Sequence, residues 1–182
     1  DGMTGHRRSI RIAGFDYGRP GAYFITICAQ DRQPIFGAVS DGRVALSPLG
    51  EIAERCWTAI PAHAPAADLD AFVVMPNHFH GILFIDRQEQ PDGDDAPGRE
   101  AFAAPRAGTL PTIVRSFKAA VSREARQAGV DAGAAVWQRN YFERVIRNEQ
   151  ELARFRAYIE ANPARWDEDE EYVARGGWHD RR

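Results

Sequence analysis

Residues 71–85, Ala-Phe-Val-Val-Met-Pro-Asn-His-Phe-His-Gly-Ile-Leu-Phe-Ile, constrain the fold more than any other stretch. Two apolar, β-forming runs flank a polar break at Pro76-Asn77, and this predicts strands over Ala71–Met75 and Phe79–Ile85. Their near-continuous apolar character predicts central positions in the sheet. Side chains alternate along a strand, so His78 and His80 leave one face while Phe79 leaves the other. Two imidazoles side by side on a strand can chelate one divalent metal. A pair of packed, hydrogen-bonded histidines is the alternative, and the spacing leaves both open.

A second feature lies downstream, at Arg156-Ala-Tyr158-Ile-Glu-Ala-Asn162-Pro163. Asn148 followed three residues later by Glu151 predicts a capped helix start, and Pro163 bounds the far end. Leu152, Phe155 and Ile159 form its apolar stripe. Tyr158 and Asn162, four residues apart, share a face at one edge of that stripe. Tyr158 as a core-edge aromatic and Asn162 as a C-terminal cap remain open beside any catalytic role. Pro163 also disfavours helical geometry at Asn162.

Together these blocks resemble the REP-associated tyrosine transposases, a branch of the single-strand nucleases built on a His-hydrophobic-His motif. The resemblance is carried by His78-Phe-His80 and by Tyr158-Ile-x-x-Asn162-Pro163. It extends through Arg7-Arg8-Ser9-Ile10, residues 20–28, Met75-Pro76-Asn77, residues 113–118, Trp137-Gln-Arg-Asn-Tyr141 and Val145-Ile-Arg-Asn-Glu149. It implies a ferredoxin-like architecture and a metal held by His78, His80 and Asn162. It further implies Tyr158 as nucleophile on single-stranded or hairpin DNA, through a covalent 5′-phosphotyrosine. Imidazole plus amide oxygen suits Mg²⁺ or Mn²⁺. Two other readings compete: a hairpin-binding protein with a degenerate site, and a metal-dependent enzyme on a small substrate.

Net charge of −3 and a pI near 6.0 are not those of a typical nucleic-acid binder. The charge is unevenly spread, however. Residues 106–148 hold eight basic and three acidic side chains, and residues 149–171 the reverse pattern, with eight acidic and three basic. The local field is what phosphate meets. Arg115, Lys118, Arg123, Arg126, Arg139 and Arg144 are therefore the candidate DNA contacts, the first four expected on the solvent arc of a helix over Leu110–Gln127. A solvated face is the default for such an arc.

The remaining chain reads as one domain over 1–182, with a polar arm at 1–19, a loop at about 87–108 and an acidic tail at about 167–182. Tyr23–Ala29 and Val44–Leu46 predict strands, the latter after a return through Asp41-Gly42. Ser47-Pro48 predicts a helix to about Ile60, with Ile52, Cys56 and Ile60 buried. Val136-Trp-Gln predicts an edge strand, and Tyr141–Ile146 another strand. Short connections favour antiparallel pairing, giving an α+β sandwich: a central antiparallel sheet with helices mainly on one face. Without a long apolar run or an apolar N-terminal stretch, neither a membrane span nor a secretory signal is expected. Cys28 and Cys56 read as reduced thiols of a cytoplasmic protein, monomeric or homodimeric.

Overall fold

The structure, a computed structural model, describes residues 21–86, 108–131, 133 and 135–166. The arm, most of the 87–108 loop and the acidic tail lie outside the described residues, as do Arg7, Arg8, Tyr17, Arg106 and Tyr172.

Strands β1 (Gly21–Cys28), β4 (Ala67–Met75), β5 (His78–Ile85) and β6 (Phe142–Ile146) form an antiparallel sheet of order β4-β5-β1-β6. Strands β2 (Gly37–Ser40) and β3 (Arg43–Leu46) make a separate hairpin. Both residues at its turn, Asp41 (φ 52°) and Gly42 (φ 69°), are left-handed, the geometry that matches strand twist in a two-residue connection.

Both faces of the sheet are covered, which explains the apolar runs. Tyr23, Ile25 and Ile27 of β1, with Phe79, Leu83 and Ile85 of β5, pack against helices α1 (Pro48–Thr58) and α3 (Leu110–Gln127). The short helix α2 (Ile60–His63) adds Ile60 to that core. Phe24 and Ile82 point the other way and meet Leu152 and Ile159 of α4 (Glu149–Ala161). The result is the expected α+β sandwich, with three helices on one face and α4 on the other.

Caps set the helix ends. Ser47 Oγ accepts the Gly50 N–H at 3.1 Å and donates to the Ile35 carbonyl, with Pro48 in the first turn of α1. Asn148 Oδ1 accepts the Glu151 N–H at 2.8 Å, while Glu151 Oε2 accepts the Arg147 N–H at 2.9 Å. This is a capping box displaced by one residue.

Three expectations are corrected. Strand β4 is an edge strand, not a central one, and it begins at Ala67 with a register shift between Leu69 and Phe72. Its apolar sequence reflects cover by helices from both faces rather than two strand neighbours. Residues 136–138 contribute one bridge, Ala29 to Trp137, instead of a strand. The helix expected to run to Ile60 breaks after Thr58, and Pro61 starts the separate turn α2. No helix among the described residues is long and apolar enough to cross a membrane. Cys28 and Cys56 are free thiols.

Candidate active site

The face of the sheet that carries α4 also carries both histidines. β1 and β5 pair in a register that sets Thr26 beside His80 and Cys28 beside His78. His78 and His80 are buried, at 3% and 2% exposure, so their polar atoms must find partners within the protein. Asn77 Oδ1 accepts from His78 Nδ1 at 2.7 Å, and Thr26 Oγ1 pairs with His80 Nδ1 at 2.8 Å. An oxygen partner on each Nδ1 fixes the ring and favours the tautomer that leaves Nε2 as a lone pair, as metal-binding histidines require. The two ring centroids are 4.5 Å apart.

Burial dominates the protonation of both rings. It pushes the His78 pKa down to about 4; the Asn162 amide opposes that shift and Arg32 adds to it. His80 is also driven well below the usual histidine range, first by burial and then by the proximity of His78. Both imidazoles are therefore neutral at pH 7, the form that ligates a metal.

Tyr158, on α4, brings its hydroxyl to 3.4 Å from His80 Nε2, with its ring edge-on to Phe24. Its helix is tied to the sheet by Arg156, whose Nε donates to Asp70 Oδ1 at 2.9 Å on β4. Phe155 stacks on Phe24 at 4.4 Å and completes the anchor. Asn162 follows one turn later and is 2% exposed. It keeps helical angles (φ −57°, ψ −45°) despite Pro163, because the chain continues into a 3₁₀ turn over Pro163–Arg165. The expected departure from helical geometry does not occur.

Neither atom of the Asn162 amide makes a hydrogen bond among the described residues. The amide acts on His78 as a hydrogen-bonding neighbour that raises its pKa, although the pair does not reach full hydrogen-bond geometry. A buried amide that lacks a full hydrogen bond, beside two neutral imidazoles, fits a metal-binding set of two nitrogens and one oxygen. Trp166 lies stacked over His78, ring centroids 6.2 Å apart.

The other described tyrosines are elsewhere. Tyr23 is buried against α1 and α3, and Tyr141 packs at the edge of that same core beside Lys118. Tyr158 alone of the three stands on the histidine face.

The basic residues divide between the faces. Arg115, Arg123 and Arg126 are exposed on α3, across the sheet from the histidines. Lys118 departs from the solvent arc expected for it. Its ammonium donates to the carbonyls of Gln138, Arg139 and Asn140 at 2.8, 3.3 and 3.1 Å, straps that loop to α3, and has its pKa lowered to about 8 by burial. Arg139 is exposed in the strapped loop. Arg144 is the member of the set on the histidine face, its guanidinium 5.9 Å above the Phe155 ring. Sequence reasoning missed Thr26, Asn77, Trp166 and Arg154, the last of which shares a pocket with Arg144 and Tyr158. Thr26 carried a signal, as the one aliphatic hydroxyl in an apolar strand, but its partner depends on strand register.

No family model matches the chain. An uncharacterized protein of Haemophilus influenzae is 40% identical over 171 residues, covering 92% of this chain and 94% of that one. The solved structure of a REP-associated tyrosine transposase bound to a REP hairpin matches with a TM-score of 0.55 at 19% identity, covering 85% of this chain and 73% of that one. The chain thus belongs to the family of the Haemophilus influenzae protein and has the fold of a REP-associated tyrosine transposase.

Proposed function

We propose that this protein is a metal-dependent single-strand DNA endonuclease and strand transferase acting at hairpin or repeated palindromic DNA. The observation that carries the reading is the convergence of the Tyr158 hydroxyl on His80, with His78 and the buried Asn162 amide beside it. His78, His80 and Asn162 would hold Mg²⁺ or Mn²⁺. When bound, the cation supplies a Lewis acid for a phosphate oxygen.

The chain's own residues account for the rest. Asn77 and Thr26 hold the two imidazoles in orientation. Tyr158, fixed by α4, presents a phenol whose ordinary pKa near 10 makes it a weak nucleophile until its proton leaves. In the proposed step the tyrosine oxygen forms a bond to phosphorus and the bond from phosphorus to O3′ breaks. The phenol proton is lost and O3′ gains one, leaving a 5′-phosphotyrosine and a 3′-OH. One phosphoester replaces another, so rejoining needs no external energy source. The protein fold shared with a hairpin-bound transposase agrees with this substrate class.

Incubating labelled single-stranded hairpin DNA with protein and Mn²⁺, followed by a denaturing gel, tests the reading. A covalent adduct should form with the parent protein and with Tyr141→Phe, and be absent with Tyr158→Phe. An adduct that survives Tyr158→Phe assigns the nucleophile elsewhere. Hairpin binding without any adduct leaves only a binding module.

A further inference from the structure

Beside Tyr158 lies a cavity of about 220 Å³ between β1, β6 and α4, lined by Phe24, Arg144, Glu151, Arg154, Phe155 and Tyr158. Pockets for drug-sized ligands are roughly 300–1,000 Å³, so this one admits a single ring system. Phe155, stacked on the buried Phe24, offers the apolar aromatic surface; Arg144 lies over its ring and Arg154 lines the same cavity. Neither guanidinium is paired with a carboxylate among the described residues. Glu151 closes the remaining wall, where its carboxylate already accepts the Arg147 N–H. Phosphate is repelled from that wall and drawn to the arginines.

We infer that this cavity receives one unpaired nucleotide next to the phosphate that Tyr158 attacks. Its base lies against Phe155, and its phosphate lies on Arg144 and Arg154. The chemistry is that of single-strand binding generally: an aromatic surface for the base, which every base can use, and cations for the backbone. Position gives the pocket its significance. Tyr158 is one of its walls, so a base seated there sets which phosphate reaches the hydroxyl. The inference rests on the single-strand DNA reading above and adds the residues that set the register of cleavage.

The test is a binding titration of the full chain in chelator, so that no cleavage intervenes. The probe is a hairpin with single-stranded tails, and a series in which each tail position in turn is abasic. For the parent, one abasic position, adjacent to the cleaved phosphate, should weaken binding about tenfold. Phe155→Leu should weaken binding of intact DNA by a similar factor and erase the penalty at that position. Arg154→Ala, at an exposed residue, should weaken all the DNAs and lower the salt slope by about one. The pocket assignment is overturned if the Phe155→Leu and abasic penalties multiply, if no abasic position matters, or if Arg154→Ala leaves the salt slope unchanged. Hairpin binding with those results would sink the pocket alone; a parent that binds none of the DNAs sinks the DNA reading with it.

Discussion

Tyr158 Oη lies 3.4 Å from His80 Nε2, at the outer limit of a hydrogen bond, although 78 residues separate them in the chain. The two are neighbours because β5 is central in the sheet and α4 crosses the face on which His80 emerges. Neither residue is locked to the other. His80 is fixed from behind by Thr26, and Tyr158 by the Phe24–Phe155 stack and the Arg156–Asp70 tether. Each group is therefore oriented by its own element and not by the other.

Asn162 offers a way to separate functional from structural roles. Its amide is buried without a hydrogen bond among the described residues, which costs stability on the order of 1–3 kcal/mol relative to a satisfied group. Asn162→Leu keeps much of the volume and removes the polar atoms. The metal-free variant should melt at the same temperature as the parent or higher, while Mn²⁺ affinity falls at least about tenfold, the scale of losing even an outer-shell partner. Calorimetry for both quantities checks this. A variant that melts lower and binds Mn²⁺ normally makes Asn162 a structural cap.

How much of this was legible in the sequence depends on the range of the forces involved. That His78 and His80 share a face follows from strand periodicity alone, and the start of α4 follows from Asn148 and Glu151, because both are local. The partners of the histidines are not local. Thr26 meets His80 through a register fixed 54 residues away, by the cores on both faces of β1. The side of the sheet on which α3 lies is set by its long-range packing with α1 and the core of that face, so a basic arc on α3 could not be placed relative to the histidines. Asn162 shows local preference overridden: the residue before a proline stays helical as the chain continues into the 3₁₀ turn over Pro163–Arg165.

Gly81 is held without a side chain by the opposite core. A methyl group there would come within 2.5 Å of the Trp57 ring and 2.9 Å of Phe79. Both rings are fully buried, so neither can move aside cheaply. Gly81→Ala should destabilise the protein by about 1–3 kcal/mol, the usual scale of overpacking. Denaturant titration would show it as a lower midpoint at unchanged slope. A midpoint equal to the parent's would mean that Trp57 has room to shift.

Acid should destabilise the metal-free protein through the histidine pair. The folded pKa of His78 is lowered to about 4, and that of His80 is lowered further by its neighbour. Unfolded histidine titrates near 6.5. Between those values the unfolded chain binds more protons, so stability rises with pH across the window and is lost as pH falls from about 6.5 toward 4. Melting temperatures in chelator should trace this slope, and the His78→Ala, His80→Ala double variant should flatten it. An equal slope in parent and variant would assign the acid sensitivity to carboxylates instead.

Thr26 provides the sharpest test of how the site is held. Its hydroxyl is the partner of His80 Nδ1 at 2.8 Å, in a strand position where a β-branched residue is favoured. Thr26→Val preserves the branch and removes only the oxygen, leaving His80 Nδ1 without that bond. The backbone register between β1 and β5 should survive, because Phe24 on this face and Tyr23, Ile25 and Ile27 on the other still hold it. Two effects are expected together. Stability should fall by about 1–3 kcal/mol, the penalty of a buried group that loses its partner. Mn²⁺ affinity should fall by about 10- to 100-fold, because the ring loses its fixed tautomer and orientation. Thr26→Ser restores the hydroxyl and should recover most of the metal affinity even if it packs less well. Nitrogen NMR of the imidazole supplies an independent readout: His80 should be a single Nδ1–H tautomer in the parent and a mixture in Thr26→Val. If Thr26→Val binds Mn²⁺ as the parent does and His80 keeps one tautomer, the threonine merely fills space. The ring would then be oriented by its other neighbours, the Ile25 backbone and the rings of Phe24, His78 and Tyr158.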